Sequence, residues 1–314
     1  MLKYLELMRP GQWIKNLAVL AGAMFALRVD LDSLIHTAIV FVAFCLVSSA
    51  TYCVNDILDR KADQLHPTKK HRPLARGAVG PAAAMVLAAL LLASGVALSA
   101  KLLPIICTVV IVGYFCQNMA YSVALKRRII LDVILIAIGF VLRATAGAAA
   151  VEAYVSPWLI VCTFTLCLFL GFGKRRCEIA AFGSLEEAAE HRPTLLRYTP
   201  ELLNHLISVS AGIAIMTFLL YTMDRDPTHP PPFPKQHLLY TVPLVVYGVF
   251  RYAMLIQAGK RHGPMDIFLH DKPFVGTILI WAVVAGAIMT ERYWLDGMPL
   301  ADLIGGDVPL ITNP

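Results

Sequence analysis

The chain has 314 residues, of which 58% are hydrophobic and only 15% charged, and its formal net charge is +6. A soluble domain carries about a quarter charged residues. This composition, with a mean hydropathy of +0.68, therefore excludes an ordinary soluble enzyme and predicts a protein embedded in a bilayer. Seven cysteines lie in or beside apolar segments without a CxxC pair, which indicates neither a disulfide framework nor a zinc site. We expect no nucleic-acid partner.

Nine apolar segments follow one another along the chain. A hydrocarbon core of ~30 Å needs roughly 17–25 such residues per helix. The predicted spans are 13–27, 34–56, 81–100, 103–125, 129–150, 157–173, 203–221, 238–256 and 274–289. The first is short, and a signal-peptide core is its alternative interpretation. The sequence predicts an all-α polytopic membrane protein, with residues 1–294 as a single transmembrane domain and 295–314 as a tail.

The distribution of lysine and arginine predicts how the chain crosses the membrane, since cytoplasmic loops carry an excess of both. With nine spans, the N-terminus and every second loop share one side. Twenty of the 27 lysines and arginines fall on that side, five on the other and two within spans. We expect an inner-membrane protein with a cytoplasmic N-terminus and with its C-terminal tail outside.

Three aspartates crowd onto the end of the second span, in the stretch YCVNDILDRKADQLHPTKKHRPLARG. If the helix continues past Val54, Asp56, Asp59 and Asp63 share one face. A carboxylate facing lipid costs roughly 2.5–3.5 kcal/mol, so this face should meet a polar cavity or the interface. One interpretation is a solvated helix end paired with nearby bases. The other is a Mg²⁺ site, because Mg²⁺ takes one or two carboxylates plus water and phosphate oxygens.

The six lysines and arginines of loop 57–80 favour the second interpretation, since they would bind the phosphates of a diphosphate ester. Here the sequence resembles a known family. NDILDRKAD matches NDxxDxxxD, the first signature of the UbiA superfamily of intramembrane prenyltransferases. Further segments are similar to its decaprenyl-phosphate phosphoribosyltransferase branch: RPGQWIKN, YSVALKRRIILD, GFVLRATAGA, GFGKRRCE and PMDIFLHDKP.

The resemblance implies a UbiA-type bundle of nine transmembrane helices around a cytoplasm-facing cavity. It implies transfer of 5-phosphoribosyl from phosphoribosyl diphosphate (PRPP) to a polyprenyl phosphate, for cell-envelope polysaccharide precursors. Mg²⁺ would be held by Asp56, Asp59 and Asp63, with Lys126 acting beside the first two in catalysis. The residues expected to bind substrate are Lys15, Asn16, Asn55, Arg72, Arg76, Tyr121, Arg143, Lys174, Arg175, Arg176 and Glu178. For Arg143 a structural salt bridge is an equal alternative, and a homo-oligomer is left open.

One departure from the wider superfamily concerns the end of the sixth span. Aromatic prenyltransferases of the superfamily carry a second acidic motif, DxxxD, at this place. Here the chain reads Lys174, Arg175, Arg176, Cys177 and Glu178. This set favours direct binding of a phosphate over a second metal, and ordinary positive-inside anchoring is the alternative. The competing functions are an aromatic prenyltransferase and a transporter with acids facing its cavity.

Overall fold

The computed structural model describes most of the chain, in ranges separated by gaps. The described residues are 2–28, 30–66, 69–180, 197–224, 228–229, 233–258, 267 and 270–291. The predicted tail at 295–314 lies outside them. Contacts divide the chain into two compact units, Met1–Val155 and Ser156–Pro314, and each is described by itself. The prediction of a single domain over 1–294 stays a prediction.

In its described residues, the first unit contains six α-helices and three 3₁₀-helices. The α-helices are α1 (Leu2–Met8), α2 (Ala18–Phe25), α3 (Leu31–Leu65), α4 (Pro81–Leu102), α5 (Ile105–Val123) and α6 (Leu131–Ala150). The 3₁₀-helices are Pro10–Leu17, Lys69–His71 and Leu125–Arg127. The second unit contains α7 (Pro157–Ala180), α8 (Pro200–Met223), a 3₁₀-helix at Lys235–Thr241, α9 (Val242–Gln257) and α10 (Lys272–Met289).

Eight helices among the described residues are long and apolar enough to cross a membrane. They coincide with the second to ninth predicted spans, so the all-helical membrane fold is confirmed. The first predicted span is a mixed helix instead of one α-helix, because the 3₁₀-helix Pro10–Leu17 leads directly into α2. These 16 residues together rise roughly 28 Å.

Helix α3 positions the predicted site. It begins at a capped end, where the Asp30 carboxylate accepts a hydrogen bond of 2.9 Å from the Ser33 backbone N–H. It ends at Leu65 because His66 precedes a proline, which disfavours helical backbone, and His66 has extended dihedral angles. Its 35 residues span roughly 52 Å, well beyond the ~30 Å hydrocarbon core. The aspartates therefore lie on a continuous helix, as the sequence predicts.

The backbones of α2 and α6 approach each other closely through two glycines. A Cβ added to Gly147 would lie 1.9 Å from the Val19 carbonyl oxygen, and one added to Gly22 would lie 2.1 Å from the Ala144 carbonyl oxygen. Small residues allow this kind of packing between membrane helices. The consequence for the site is that Asn16, just before α2, is held beside α6.

In the second unit, α7 packs along α8, and α9 contacts α7, α8 and α10. The Thr165 and Thr217 hydroxyls lie 3.0 Å apart and join α7 to α8. Arg251 of α9 makes a two-bond ion pair with Asp271, at 2.9 and 3.0 Å. The same carboxylate accepts the Phe274 backbone N–H and caps α10. This carboxylate therefore ties the start of α10 to α9.

Candidate active site

Three carboxylates lie along one face of the last part of α3, as the spacing predicts. Asp56 and Asp63 are only 1% and 4% exposed, whereas the Asp59 side chain is 30% exposed. Buried carboxylates need partners that compensate their charge. The partners all come from other parts of the first unit.

Two arginines hold the buried carboxylates. Arg9 donates from Nη2 to Oδ1 of Asp56 and lies over the Tyr52 ring, 5.2 Å from its centroid. Nη1 of Arg72 donates to Oδ1 of Asp56 at 3.2 Å and to Oδ2 of Asp63 at 2.7 Å. Arg9 adopts a left-handed backbone, φ 54° and ψ 62°. For a non-glycine residue this conformation is uncommon, and it occurs where the surroundings impose it, often at functional sites.

Asp59 has a separate pair of partners. Its Oδ1 accepts from Nζ of Lys126, and its Oδ2 accepts from the Asn55 amide at 3.1 Å. Lys126 belongs to the 3₁₀-helix between α5 and α6. This connection ends in a strained γ-turn at Ile130, with φ 67°, ψ −51° and a 2.6 Å hydrogen bond from the Leu131 N–H to the Ile129 carbonyl.

The three carboxylates are thus matched by three basic side chains, Arg9, Arg72 and Lys126. The cluster is formally neutral, which explains how acids can remain buried beside a membrane segment. A metal bound at these carboxylates would compete with the cations for their oxygens. A cation released by this competition would be available to bind an anionic ligand.

The donor set fits Mg²⁺ in its chemistry. Asp56 and Asp59 are carboxylates one helical turn apart, and Mg²⁺ usually takes one or two carboxylates and completes its octahedron with water and phosphate oxygens. Among the described residues, no group of three or more His, Cys, Asp or Glu side chains could hold a metal by itself. Two carboxylates suit a Mg²⁺ ion whose other ligands are water and the phosphate oxygens of a substrate.

Arg143 lies in α6 and is 5% exposed. Its Nε donates to Oδ1 of Asn16 at 2.8 Å, its Nη2 to the Tyr114 hydroxyl at 2.7 Å and its Nη1 to the Gly139 carbonyl at 2.7 Å. The Asn16 amide in turn donates to Ser48 at 3.3 Å. The structure thus joins two predicted residues, Asn16 and Arg143, in one buried polar network.

Three further predicted residues of the first unit, Arg76, Lys15 and Tyr121, lie on different segments of the chain. Arg76 donates to Glu6 at 2.6 Å in an exposed pair, so it does not contact the aspartates. Lys15 is exposed on the first 3₁₀-helix. Tyr121 is half-buried at the end of α5, five residues before Lys126.

The basic residues of α7 belong to the second unit, and they differ in their surroundings. Arg175 is 1% exposed, and its Nη1 lies 2.6 Å from Oε2 of Glu178. The Lys174 side chain is 53% exposed, with Nζ 3.9 Å from Oε1 of the same glutamate. Arg176 donates to Asn204 of α8 at 3.3 Å. The single acid of this segment is therefore shared by two of its three cations.

Two residues of the site were not among the predicted ones, Arg9 and Tyr114. The signal for Arg9 was present, because it opens the RPGQWIKN segment that carries part of the family resemblance. Tyr114 lies in the middle of an apolar span and is 3% exposed. Its role depends on a partner 29 residues away, and the sequence offers no local signal for such a contact.

The chain is similar to the members of one protein family along most of its length. A profile of the UbiA prenyltransferase family matches residues 16–269. The chain is 31% identical over 293 residues to the decaprenyl-phosphate phosphoribosyltransferase of Mycolicibacterium smegmatis, covering 90% of this chain and 91% of that one. It is 31% identical over 281 residues to the enzyme of the same name from Corynebacterium glutamicum, covering 88% and 83%.

Among solved structures, the chain resembles a UbiA homolog from Archaeoglobus fulgidus bound to DMAPP and Mg²⁺. The TM-score is 0.67 at 18% identity, covering 92% of this chain and 99% of that one. This likeness establishes the fold. With the family profile over most of the chain and relatives at 31% identity along nearly its whole length, the protein belongs to the UbiA prenyltransferase family and is a membrane-embedded transferase.

Proposed function

We propose that the protein transfers 5-phosphoribosyl from PRPP to a polyprenyl phosphate such as decaprenyl phosphate and releases diphosphate. The observation that carries this proposal is the cluster on α3, where carboxylates suited to Mg²⁺ are matched by Arg9, Arg72 and Lys126. The names of the relatives at 31% identity point to the same reaction. The basic segment at 174–176, in place of a second acidic motif, favours a donor that is not a prenyl diphosphate.

The charge that develops during the reaction defines what these residues do. Breaking the bond from ribose C1 to diphosphate leaves negative charge on the leaving group. Lys126 and the arginines stabilise that charge with their positive side chains. Mg²⁺, when bound at Asp56 and Asp59, would supply further neutralisation of the diphosphate. Asn55 orients Asp59 through the 3.1 Å hydrogen bond between them.

The acceptor needs little activation. A phosphate monoester is already ionised at neutral pH, so no general base is required. The chain's main contribution is to hold a water-soluble donor and a lipid acceptor in line, which removes the entropic cost of their encounter. In-line attack by a phosphate oxygen of the lipid inverts C1, so a β-linked product is expected from the α-configured donor.

The reaction itself provides the direct test. Purified protein in lipid nanodiscs should move label from ribose-labelled PRPP into a lipid-extractable product when polyprenyl phosphate and Mg²⁺ are present. EDTA should abolish the transfer, and added Mg²⁺ should restore it. Faster reaction of geranyl diphosphate with an aromatic acid than of PRPP with the lipid would contradict the proposal and favour the aromatic prenyltransferase alternative.

We also infer that the cluster faces the cytoplasm, since PRPP is a highly charged metabolite that would not cross a bilayer unaided. Two exposed lysines of the first unit, Lys70 and Lys101, provide the test. In a Cys116→Ser background, which removes an exposed cysteine, a membrane-impermeant maleimide applied to intact cells should label the Lys101→Cys variant and not the Lys70→Cys variant. Detergent-permeabilised cells are the control, in which both should label. The reverse pattern in intact cells would place the cluster outside.

A further inference from the structure

Arg143 is a buried cation whose hydrogen-bonding partners among the described residues are all neutral. Five other arginines among the described residues form an ion pair with a carboxylate, namely Arg9, Arg72, Arg76, Arg175 and Arg251. Arg143 instead bonds to an amide oxygen, a phenol oxygen and a backbone carbonyl. A charged side chain within a transmembrane helix is costly and commonly marks a ligand or ion site.

The guanidinium has capacity left for a further partner. It carries five N–H donors, and its three hydrogen bonds to described residues occupy one on each nitrogen. One N–H on Nη1 and one on Nη2 remain, and guanidinium N–H groups make strong charge-assisted hydrogen bonds to carboxylates and phosphates. The rings of Phe44, Tyr114 and Phe140 lie 4.5–5.8 Å from the guanidinium carbon. They make the surroundings apolar, so an anion bound here would be strongly attracted.

The position of Arg143 relative to the carboxylates follows from the polar face of α3. Asn16, the partner of Arg143, contacts Ser48, and Ser48 lies eight residues before Asp56, which corresponds to roughly 12 Å along the helix. Tyr52, stacked with Arg9, lies between them. The Arg143 network is therefore on the same polar face as the carboxylates and deeper toward the middle of the span.

We propose that Arg143, oriented by Asn16 and Tyr114, binds the phosphate of the polyprenyl phosphate acceptor. This rests on the proposed function and adds the acceptor's binding group. A phosphate monoester could also come from the 5-position of PRPP. The depth and the apolar rings favour the lipid, because its tail can remain in apolar surroundings while its head meets the guanidinium. PRPP is polar throughout and would lose hydration on entering.

An Arg143→Gln variant is expected to lose recognition of the lipid phosphate. The probes are a short-chain polyprenyl phosphate and the matching polyprenyl alcohol, with affinities measured in nanodiscs. The unmodified protein should prefer the phosphate by on the order of 10- to 100-fold, the range expected for a charge-assisted hydrogen bond. The variant should bind both alike, while its affinity for PRPP with Mg²⁺ stays within about 2-fold.

A second variant covers the case in which Arg143→Gln does not fold. Asn16→Asp places a carboxylate where the Asn16 amide oxygen already accepts a hydrogen bond from Arg143 at 2.8 Å. The variant should therefore fold, and the new ion pair should neutralise the charge of the Arg143 guanidinium. It is expected to lose the preference for the phosphate in the same way. Gln257→Glu is the matched control, since it makes the same change from amide to carboxylate at the exposed end of α9. It should retain the preference.

The outcomes separate this inference from the reaction itself. If ribosyl transfer takes place and Asn16→Asp still prefers the phosphate over the alcohol, the Arg143 assignment is wrong and the network is structural. If these variants weaken PRPP binding instead, the phosphate belongs to the donor and the inference is also wrong. If the unmodified protein binds no PRPP and transfers no ribose, the proposed function has failed first.

Discussion

An Asp59→Asn variant is expected to lose ribosyl transfer by a factor on the order of 10² to 10³, the usual cost of losing one charge-stabilising contribution, here the Mg²⁺ that Asp59 would help to hold. The substitution keeps the size of the side chain and removes the charge that would hold Mg²⁺. It also leaves Lys126 without its carboxylate. Because Asp59 is partly exposed, the variant should fold normally. The measurements are the initial rate of transfer and the Mg²⁺-dependent binding of PRPP.

Asp32→Asn provides the matched control. Asp32 is an exposed carboxylate in the first turn of the same helix, so its replacement changes net charge equally at the other end of α3. Its transfer rate should stay within about 2-fold, since an isolated surface charge contributes little. Full activity in Asp59→Asn, or an equal loss in both variants, would remove Asp59 from the metal site.

Arg9→Ala is expected to destabilise the metal-free protein and to do so much less when Mg²⁺ and PRPP are bound. Without Mg²⁺, the substitution leaves the buried Asp56 carboxylate with Arg72 alone. The free energy of unfolding should fall by about 1–3 kcal/mol, the cost of an imperfectly compensated buried polar group. A bound metal would compensate the same carboxylate. The measurement is thermal unfolding in detergent, with EDTA and with Mg²⁺ plus PRPP.

Arg128→Ala serves as the control for this experiment, because Arg128 is an exposed arginine between Lys126 and α6. It should leave the unfolding temperature unchanged in both conditions. Arg9→Lys keeps the charge and should recover part of the lost stability. An equal drop for Arg9→Ala with and without Mg²⁺ and PRPP would mean that Arg9 is a structural partner of Asp56 and does not give way to a metal.

The helical positions were predictable because their causes are local. Hydropathy over about 20 residues located eight spans, and the i, i+3, i+7 spacing placed Asp56, Asp59 and Asp63 on one face. The first span was less predictable. Its length matched a helix, but residues Pro10–Leu17 form a 3₁₀-helix. Side chains of this segment bond to residues far along the chain, Trp13 to Ser49 and Asn16 to Ser48, and such contacts cannot be read from the local sequence.

The partners of the carboxylates depend on contacts between distant segments. Lys126 meets Asp59 across 67 residues, and Arg9 meets Asp56 across 47. Twenty lysines and arginines lie on the same predicted side of the membrane, and composition does not show which of them pair with the aspartates. Arg76 illustrates this, since it follows the aspartates closely in sequence and yet pairs with Glu6 at the surface.

The sequence by itself determined the membrane class, the helical spans, the carboxylate face and the family resemblance, because each depends on residue type and short-range periodicity. Only the tertiary structure decided which cation neutralises which carboxylate, that Arg175 is buried against Glu178, and that Arg143 has neutral partners. The physical reason is that an ion pair forms wherever packing brings two side chains within a few ångströms. In the first unit that proximity depends on close approaches such as the one between α2 and α6 at Gly147.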